Sequence, residues 1–245
     1  KGGEVVMSEM LPLPEFELLH PETVEECIQL LQEHPDAKLI AGGTDLIPSM
    51  KYGLFTPPTL ISTKRIQALR ELGTSDGGLQ IGASLTHRDL QKSPEVADRL
   101  PVLAEVCSQI ATPTLQAMGT LGGNIMLDTR CLWYNQSELW RTALGGCLKC
   151  EGTMCHVAPK GTGCYAAHSA DTIPVLLLAK AEVEFAGPQG LRRVPLSKLY
   201  HRDGLVGTHT EGSELLTRIL IPAPEGTIAY RKLRVRDDRD IAVFN

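Results

Sequence analysis

The chain has 245 residues, 42% of them hydrophobic, which is enough for a substantial core in one large domain or two small ones. Its net charge of -5 gives no basic footprint for nucleic acid. No run of eighteen apolar residues predicts a transmembrane helix, and the opening letters KGGEVVMSEM contain no apolar signal core. We therefore expect a soluble protein of the cytoplasm.

The N-terminal segment predicts a strand followed by an amphipathic helix. Residues 1–13 are expected to be a disordered lead, and residues 15–20 predict a short strand. The helix that follows begins at a capping box made by Thr23 and Glu26, and Cys27 falls on its apolar face. Cys27 is therefore expected to be a core residue.

A glycine turn follows the next predicted strand. Residues 37–41 form a short apolar run that ends abruptly in Gly42-Gly43-Thr44-Asp45. A strand, a glycine turn and a helix start together present backbone N–H groups to a phosphate. Taken alone, this pattern is more often only a turn, because glycine is the usual residue wherever φ must be positive.

The middle of the chain predicts two strands and two helices. The strands cover residues 59–63 and 78–85, and a short capped helix follows with His87 in its first turn. We expect His87 to be a partly exposed surface residue. Residues 95–111 predict one longer helix with Cys107 on the buried face.

A second glycine turn follows, with the sequence Gly119-Thr120-Leu121-Gly122-Gly123-Asn124. Two such turns suit a ligand with two phosphates better than one turn does, because backbone N–H groups can approach closely where no Cβ intervenes. Neither turn has the GxGxxG pattern of a dinucleotide-binding unit or the lysine of a P-loop. A different nucleotide-binding fold is required.

Five of the seven cysteines lie in one polar, glycine-containing stretch, Cys131–Cys164, together with both tryptophans and His156. This composition indicates a metal or redox site rather than packing. Disulfides are disfavoured in a reducing compartment. Zinc is possible through Cys147 and Cys150, with Cys155, His156 or Cys164 completing the ligand set. A 4Fe-4S cluster would take four of the five thiolates. Spacing alone leaves zinc and the cluster open.

The C-terminal part predicts a helix and several strands. Residues 171–179 predict the helix, residues 181–186 and 191–196 predict a hairpin, and residues 215–221 predict a further strand. Residues 228–236 predict a strand rich in arginine and lysine, which in isolation is most simply a solvated face.

The two glycine turns resemble the FAD pyrophosphate turns of the flavoprotein subunit of the molybdenum hydroxylases, the group that includes xanthine dehydrogenase and CO dehydrogenase. The resemblance implies an α+β, two-subdomain FAD-binding fold of the PCMH and CO dehydrogenase flavoprotein type. Its subdomains would span residues 14–58 and 59–198, followed at 199–245 by the start of a C-terminal domain that looks truncated. The cofactor-binding residues it implies are Leu39, Ile40, Ala41, Gly42, Gly43, Thr44, Asp45, Leu46, Thr120, Gly122, Gly123, Asn124, Asp171 and Lys232, of which the last two would lie near the isoalloxazine.

The insertion at residues 128–168 is similar to that of one subfamily, the 4-hydroxybenzoyl-CoA reductases. This likeness implies an inserted iron-sulfur loop whose 4Fe-4S ligands are Cys131, Cys147, Cys155 and Cys164, with Cys150 as the spare. It also implies reductive dehydroxylation of 4-hydroxybenzoyl-CoA to benzoyl-CoA in anaerobic aromatic degradation, at a molybdenum cofactor on a separate large subunit. A small 2Fe-2S subunit would lie between the two, and ferredoxin would donate electrons. No catalytic residue is assigned to this chain.

Two alternatives stay open. The chain could serve another molybdenum hydroxylase, with electrons flowing outward from FAD, or it could be a non-redox scaffold with structural zinc.

Overall fold

The structure is a computed structural model that describes residues 13–210 and 212–234, so almost all of the predicted disordered lead lies outside the described residues. It contains two sheets. The first is a three-stranded parallel sheet in the order β1-β3-β2. Its strands are β1 (Glu17–Leu19), β2 (Lys38–Ile40) and β3 (Thr59–Ser62), and the helices of this part of the chain are α1 (Val24–Glu33) and α2 (Leu46–Lys51).

Helix α1 begins where the sequence predicts, although the predicted capping box is only half formed. The Thr23 side chain accepts a hydrogen bond from the Glu26 N–H at 3.1 Å. The Glu26 carboxylate bonds the N–H of Glu22 at 2.7 Å, rather than that of Thr23. Cys27 is fully buried against Ile61 and its neighbours, which confirms that it is a core residue.

The second sheet is five-stranded and antiparallel, in the order β4-β5-β8-β6-β7. Its strands are β4 (Leu72–Ser75), β5 (Gly78–Gly82), β6 (Glu182–Gly187), β7 (Gly190–Pro195) and β8 (Leu215–Ile221). The predicted hairpin and the strand over 215–221 are confirmed, while β4 was not predicted. The main core lies between this sheet and the helices α3 (His87–Lys92), α4 (Pro94–Arg99), α5 (Pro101–Gln109), α7 (Leu121–Ile125) and α9 (Ile173–Leu178). Helices α6 (Pro113–Gln116) and α8 (Glu138–Ala143) contribute no residue to it.

Strand pairing crosses both predicted subdomain boundaries. Strand β3 is the centre of the first sheet although it lies beyond residue 58, and β8 is the centre of the second sheet although it lies beyond residue 198. The mixed architecture of helices and sheets agrees with the predicted α+β class.

Two predicted elements differ in the structure. The helix predicted over 95–111 is divided into α4 and α5, because Leu100 leaves the helical region (φ -146°, ψ 65°) ahead of Pro101, which can only start a new helix. Cys107 is nevertheless fully buried, as predicted. The strand predicted over 228–236 is wrong as far as Arg234, since that stretch has no strand, and its last two positions lie outside the described residues.

Within residues 13–210 and 212–234, no helix is both long enough and apolar enough to cross a membrane.

Candidate functional site

A cavity of about 880 Å³ lies where the two glycine turns meet. Every cofactor-binding residue implied by the resemblance lines it: Leu39, Ile40, Ala41, Gly42, Gly43, Thr44, Asp45, Leu46, Thr120, Gly122, Gly123, Asn124, Asp171 and Lys232. These residues come from four separate stretches of the chain. The fold therefore gathers them around one space whose volume suits a cofactor of substantial size.

The two turns touch through backbone atoms, and glycine permits the contact. A Cβ built on Gly42 would lie 1.9 Å from the carbonyl oxygen of Met118, directly before the second turn. Gly43 has a φ of +70°, which side chains rarely allow. Gly122 also lies close to backbone, with its Cβ position 2.7 Å from the Ala83 carbonyl oxygen, and it donates its N–H to that carbonyl at 2.8 Å. Side chains at these positions would separate the turns or fill the cavity.

Each turn leads into a short helix. Thr120 caps α7, and its hydroxyl accepts the N–H of Gly123 at 3.1 Å. Asp45 precedes α2 but makes no capping hydrogen bond. Its carboxylate is instead paired with the guanidinium of Arg130. Arg130 also lines the cavity, and its position next to the cysteine stretch is the one sequence feature that could have pointed to it.

A buried ion pair lies in the wall of the cavity, between Asp171 and Lys232. The Lys232 Nζ is 2.9 Å from the Asp171 Oδ2, and their side chains are 2% and 11% exposed, respectively. Lys232 also donates to the carbonyl of Gln109 at 3.4 Å, and Tyr230 donates its hydroxyl to Asp171 at 3.4 Å. The basic segment is therefore not a solvated face at this position, because it brings a buried cation to the cavity.

His87 is buried, and the expectation of a partly exposed surface residue is wrong. It is 3% exposed, lines the cavity, and contacts Cys107 with 3.7 Å between the ring Nδ1 and Sγ. Burial lowers the pKa of His87 to about 4, so the ring is neutral at pH 7. The spacing of His87 and Leu90, three residues apart on α3, was the signal that both face the core.

A second, smaller cavity lies inside the cysteine stretch. Its lining includes all four cysteines that the resemblance implied as ligands, Cys131, Cys147, Cys155 and Cys164, but not Cys150. All seven cysteines of the chain have free thiols. Cys150 instead closes a tight turn, with its N–H donated to the carbonyl of Cys147 at 2.8 Å.

Backbone N–H groups point at the sulfurs of this cavity. Trp133 donates to the Cys131 Sγ at 3.4 Å, and Ala166 donates to the Cys164 Sγ at 3.5 Å. Burial acts to raise the pKa of Cys155, but hydrogen bonds from the backbone N–H groups of Tyr165, Ala158 and Val157 outweigh it, and the pKa is lowered. This environment favours the thiolate of Cys155, whereas at Cys164 burial outweighs the hydrogen bond from Ala166 and raises the pKa of the thiol.

Hydrogen bonds attach the cysteine stretch to the body of the protein at several places. Arg130 and Ala167 exchange both backbone hydrogen bonds, at 2.7 and 2.9 Å, and so close the neck of the stretch. Inside it, the buried Arg141 on α8 donates to the carbonyls of Tyr52 and Gly53 at 3.1 and 3.0 Å. The stretch is therefore held in a defined position beside the larger cavity.

Aromatic residues partly cover the cysteine cavity. Trp133 lines it and packs on Trp140 and His156, with ring centroids 5.9 and 5.4 Å apart. In the part of the chain that the structure describes, no three His, Cys, Asp or Glu side chains are gathered closely enough to hold a single metal ion.

Comparison with known proteins identifies relatives over almost the whole chain. Residues 14–224 match the family described as the FAD binding domain in molybdopterin dehydrogenase. The chain is 33% identical to the aldehyde oxidoreductase FAD-binding subunit PaoB of Escherichia coli over 87% of its own length and 70% of the relative's. It is 34% identical to the carbon monoxide dehydrogenase medium chain of Hydrogenophaga pseudoflava, over 92% and 65% of the two chains. The chain thus spans about two thirds of these relatives.

Solved structures of related enzymes share the fold of this chain. A carbon monoxide dehydrogenase structure from Hydrogenophaga pseudoflava, described as lacking the Mo-pyranopterin moiety of its molybdenum cofactor, superposes with a TM-score of 0.73 at 29% identity, covering 95% of this chain and 68% of that one. Quinoline 2-oxidoreductase from Pseudomonas putida 86 gives a TM-score of 0.73 at 26% identity, covering 95% and 67%. The family match, these relatives and the shared fold together show that the chain belongs to the FAD-binding subunits of the molybdenum hydroxylase family of oxidoreductases.

Proposed function

We propose that this chain is an electron-transfer subunit that holds FAD in the larger cavity and a 4Fe-4S cluster in the smaller one. One observation carries the proposal. Four cysteines spread over residues 131–164 line a single cavity beside the flavin cavity, and the fifth, Cys150, does not. A chance cluster of thiols in a loop has no reason to exclude the member of the closest-spaced pair.

The larger cavity fits FAD through its backbone. The two glycine turns meet without intervening side chains, which leaves room for a pyrophosphate against the backbone of the first turn. In the second turn, the N–H groups of Gly122 and Gly123 are already donated to Ala83 and Thr120. We assign the isoalloxazine to the region of Asp171 and Lys232, where a buried ammonium can favour negative charge on a reduced flavin.

The smaller cavity fits an iron-sulfur cluster better than zinc. Zinc requires its donors around one centre, with sulfur about 2.3 Å from the ion. A 4Fe-4S cluster is bound through four separate irons, and backbone N–H groups directed at the ligand sulfurs tune its potential. The backbone N–H groups donated to the sulfurs of Cys131 and Cys164 support this choice.

When bound, the two groups would pass electrons between them. FAD takes up two electrons and can release them singly, and a 4Fe-4S cluster carries one electron at a time. The residues of this chain would hold the two groups in neighbouring cavities, with Trp133 partly covering the smaller one.

Two reactions are candidates for the enzyme that this subunit would serve. The likeness of the 128–168 insertion supports reductive dehydroxylation of 4-hydroxybenzoyl-CoA at a molybdenum cofactor on a large subunit, with a small 2Fe-2S subunit between and ferredoxin as the donor. A second candidate is outward electron flow from FAD, as the FAD subunit of a different molybdenum hydroxylase. The similarity to aldehyde oxidoreductase and carbon monoxide dehydrogenase subunits supports this second candidate as well as it supports the first.

Metal and flavin analysis tests the cofactor content. Protein purified without oxygen is expected to contain one FAD with about four irons and four sulfides per chain. Cys150→Ser is the matched control and should leave the iron content unchanged, while Cys155→Ser should lose the cluster. One zinc without sulfide would contradict the proposal. FAD with neither metal would leave only the general flavoprotein subunit.

The direction of electron flow is tested on the assembled enzyme. Reduced ferredoxin should reduce the bound groups and drive dehydroxylation of 4-hydroxybenzoyl-CoA if the first candidate is right. Reduction of the flavin by an aldehyde or a heterocycle, with no reaction of the thioester, would select the second.

A further inference from the structure

The two cavities share a wall made of three residues. Tyr134, Leu148 and Lys149 line both the large cavity and the cysteine cavity. Tyr134 is buried, and Leu148 donates its N–H to the carbonyl of Met154 at 3.2 Å, which fixes the turn that carries Lys149. Of these three side chains, Lys149 alone is charged.

The ammonium of Lys149 is held in place from several sides. Its Nζ is 2.8 Å from the Asp128 Oδ1 and 3.0 Å from the Thr129 carbonyl, and it also bonds the Thr129 hydroxyl. It lies 4.9 Å from the centre of the Tyr134 ring. The Lys149 side chain is 9% exposed, so a fixed positive charge is buried between the cavities.

The counter-charge does not cancel this ammonium fully. The Asp128 side chain is 35% exposed, so water screens its carboxylate better than it screens the buried lysine. A second carboxylate, that of Asp203, accepts the N–H of Cys164 at 3.1 Å and acts in the opposite sense to Lys149. His156 also lines the cysteine cavity, where its Nε2 lies 2.6 Å from the carbonyl of Gly146.

We propose that Lys149 is a positioning residue that raises the reduction potential of the group in the cysteine cavity, and that Asp128 moderates this effect. The inference rests on the proposed 4Fe-4S cluster. Adding an electron makes the cluster more negative, and a fixed cation nearby favours that state, because net charge is one of the factors that set cluster potential. The positive charge of Lys149 at the shared wall would thus stabilise the reduced cluster next to the flavin cavity.

The test is the midpoint potential of the cluster in the whole chain, titrated with a chemical reductant and followed by electron paramagnetic resonance. Lys149→Met should lower the midpoint by about 59 mV, which corresponds to a tenfold change in the ratio of oxidised to reduced cluster for a one-electron couple. Asp128→Asn should raise it, and Lys149→Arg should restore the wild-type value. Lys160→Met is the matched control, because Lys160 is an exposed lysine of the same stretch and should leave the midpoint unchanged.

A purely structural role for Lys149 would not move the midpoint in opposite directions in the two variants. Wild-type midpoints in Lys149→Met and Asp128→Asn, with iron and sulfide retained, would overturn the inference and leave the proposed function standing. A wild-type chain without iron and sulfide would overturn both. If Lys149→Met loses the cluster, the sign of the shift in Asp128→Asn decides: upward sustains the inference, and no shift overturns it.

Discussion

Replacing Gly42 with alanine tests whether the two glycine turns meet as the structure shows. The new Cβ would lie 1.9 Å from the Met118 carbonyl oxygen, whereas real Cβ atoms essentially never come closer than 3.0 Å. The obstacle is backbone, so the turns must separate by about 1 Å. Overpacking of this kind costs about 1–3 kcal/mol in the free energy of unfolding.

The same movement should weaken FAD binding. Backbone N–H groups that face a pyrophosphate make hydrogen bonds to a charged group, each contributing about 1.5–3 kcal/mol. Losing one of them corresponds to a Kd for FAD about 10- to 100-fold higher. We therefore expect Gly42→Ala to be purified with little flavin and to show a raised Kd when FAD is added back.

Two control glycines separate binding from stability. A Cβ on Gly78 would lie 2.2 Å from the Ile221 carbonyl oxygen, an equally severe clash in the second sheet and outside the lining of the flavin cavity. Gly78→Ala should lower the free energy of unfolding but leave the Kd for FAD unchanged. Gly73 on β4 has open space around its Cβ position, so Gly73→Ala should change neither quantity.

The measurements are urea unfolding of the flavin-free protein and flavin fluorescence titration. Wild-type FAD affinity in Gly42→Ala would refute the idea that contact between the turns shapes the pyrophosphate site. An equal loss of affinity in Gly78→Ala would show that affinity follows global stability instead.

Two further predictions concern buried charges. Lys232→Met breaks the buried pair with Asp171 and should lower the free energy of unfolding by about 3–5 kcal/mol, whereas Lys180→Met, in an exposed pair, should cause no measurable change in the same urea titration. The pKa of His87 is lowered from 6.5 to about 4 in the folded protein, so between these values the unfolded chain binds the extra proton. Its contribution of about 3 kcal/mol is therefore complete above pH 6.5 and lost as pH falls towards 4. His87→Gln should make the pH dependence of stability shallower over that window, and an unchanged dependence would contradict the burial argument.

Local sequence patterns were sufficient to predict the helices and strands whose conformation depends mainly on neighbouring residues. The hydrophobic periodicity of α1, the turn chemistry of the β6-β7 hairpin and the apolar run of β8 each predicted an element that the structure contains. The break in the helix predicted over 95–111 could also have been predicted from the sequence, because Pro101 cannot continue a helix. The burial of Lys232 could not be read from its basic segment in isolation, because it depends on Asp171, 61 residues away along the chain.

The sequence by itself determined which residues carry chemistry: two glycine turns that can expose backbone N–H groups, and a polar stretch rich in cysteine. Only the tertiary structure decided which of them meet. It brought Gly42 against Met118, selected four of five cysteines for one cavity, and buried His87 and Lys149 between layers. The physical reason is that propensity and periodicity act over a few residues, whereas burial and charge pairing depend on packing between distant segments.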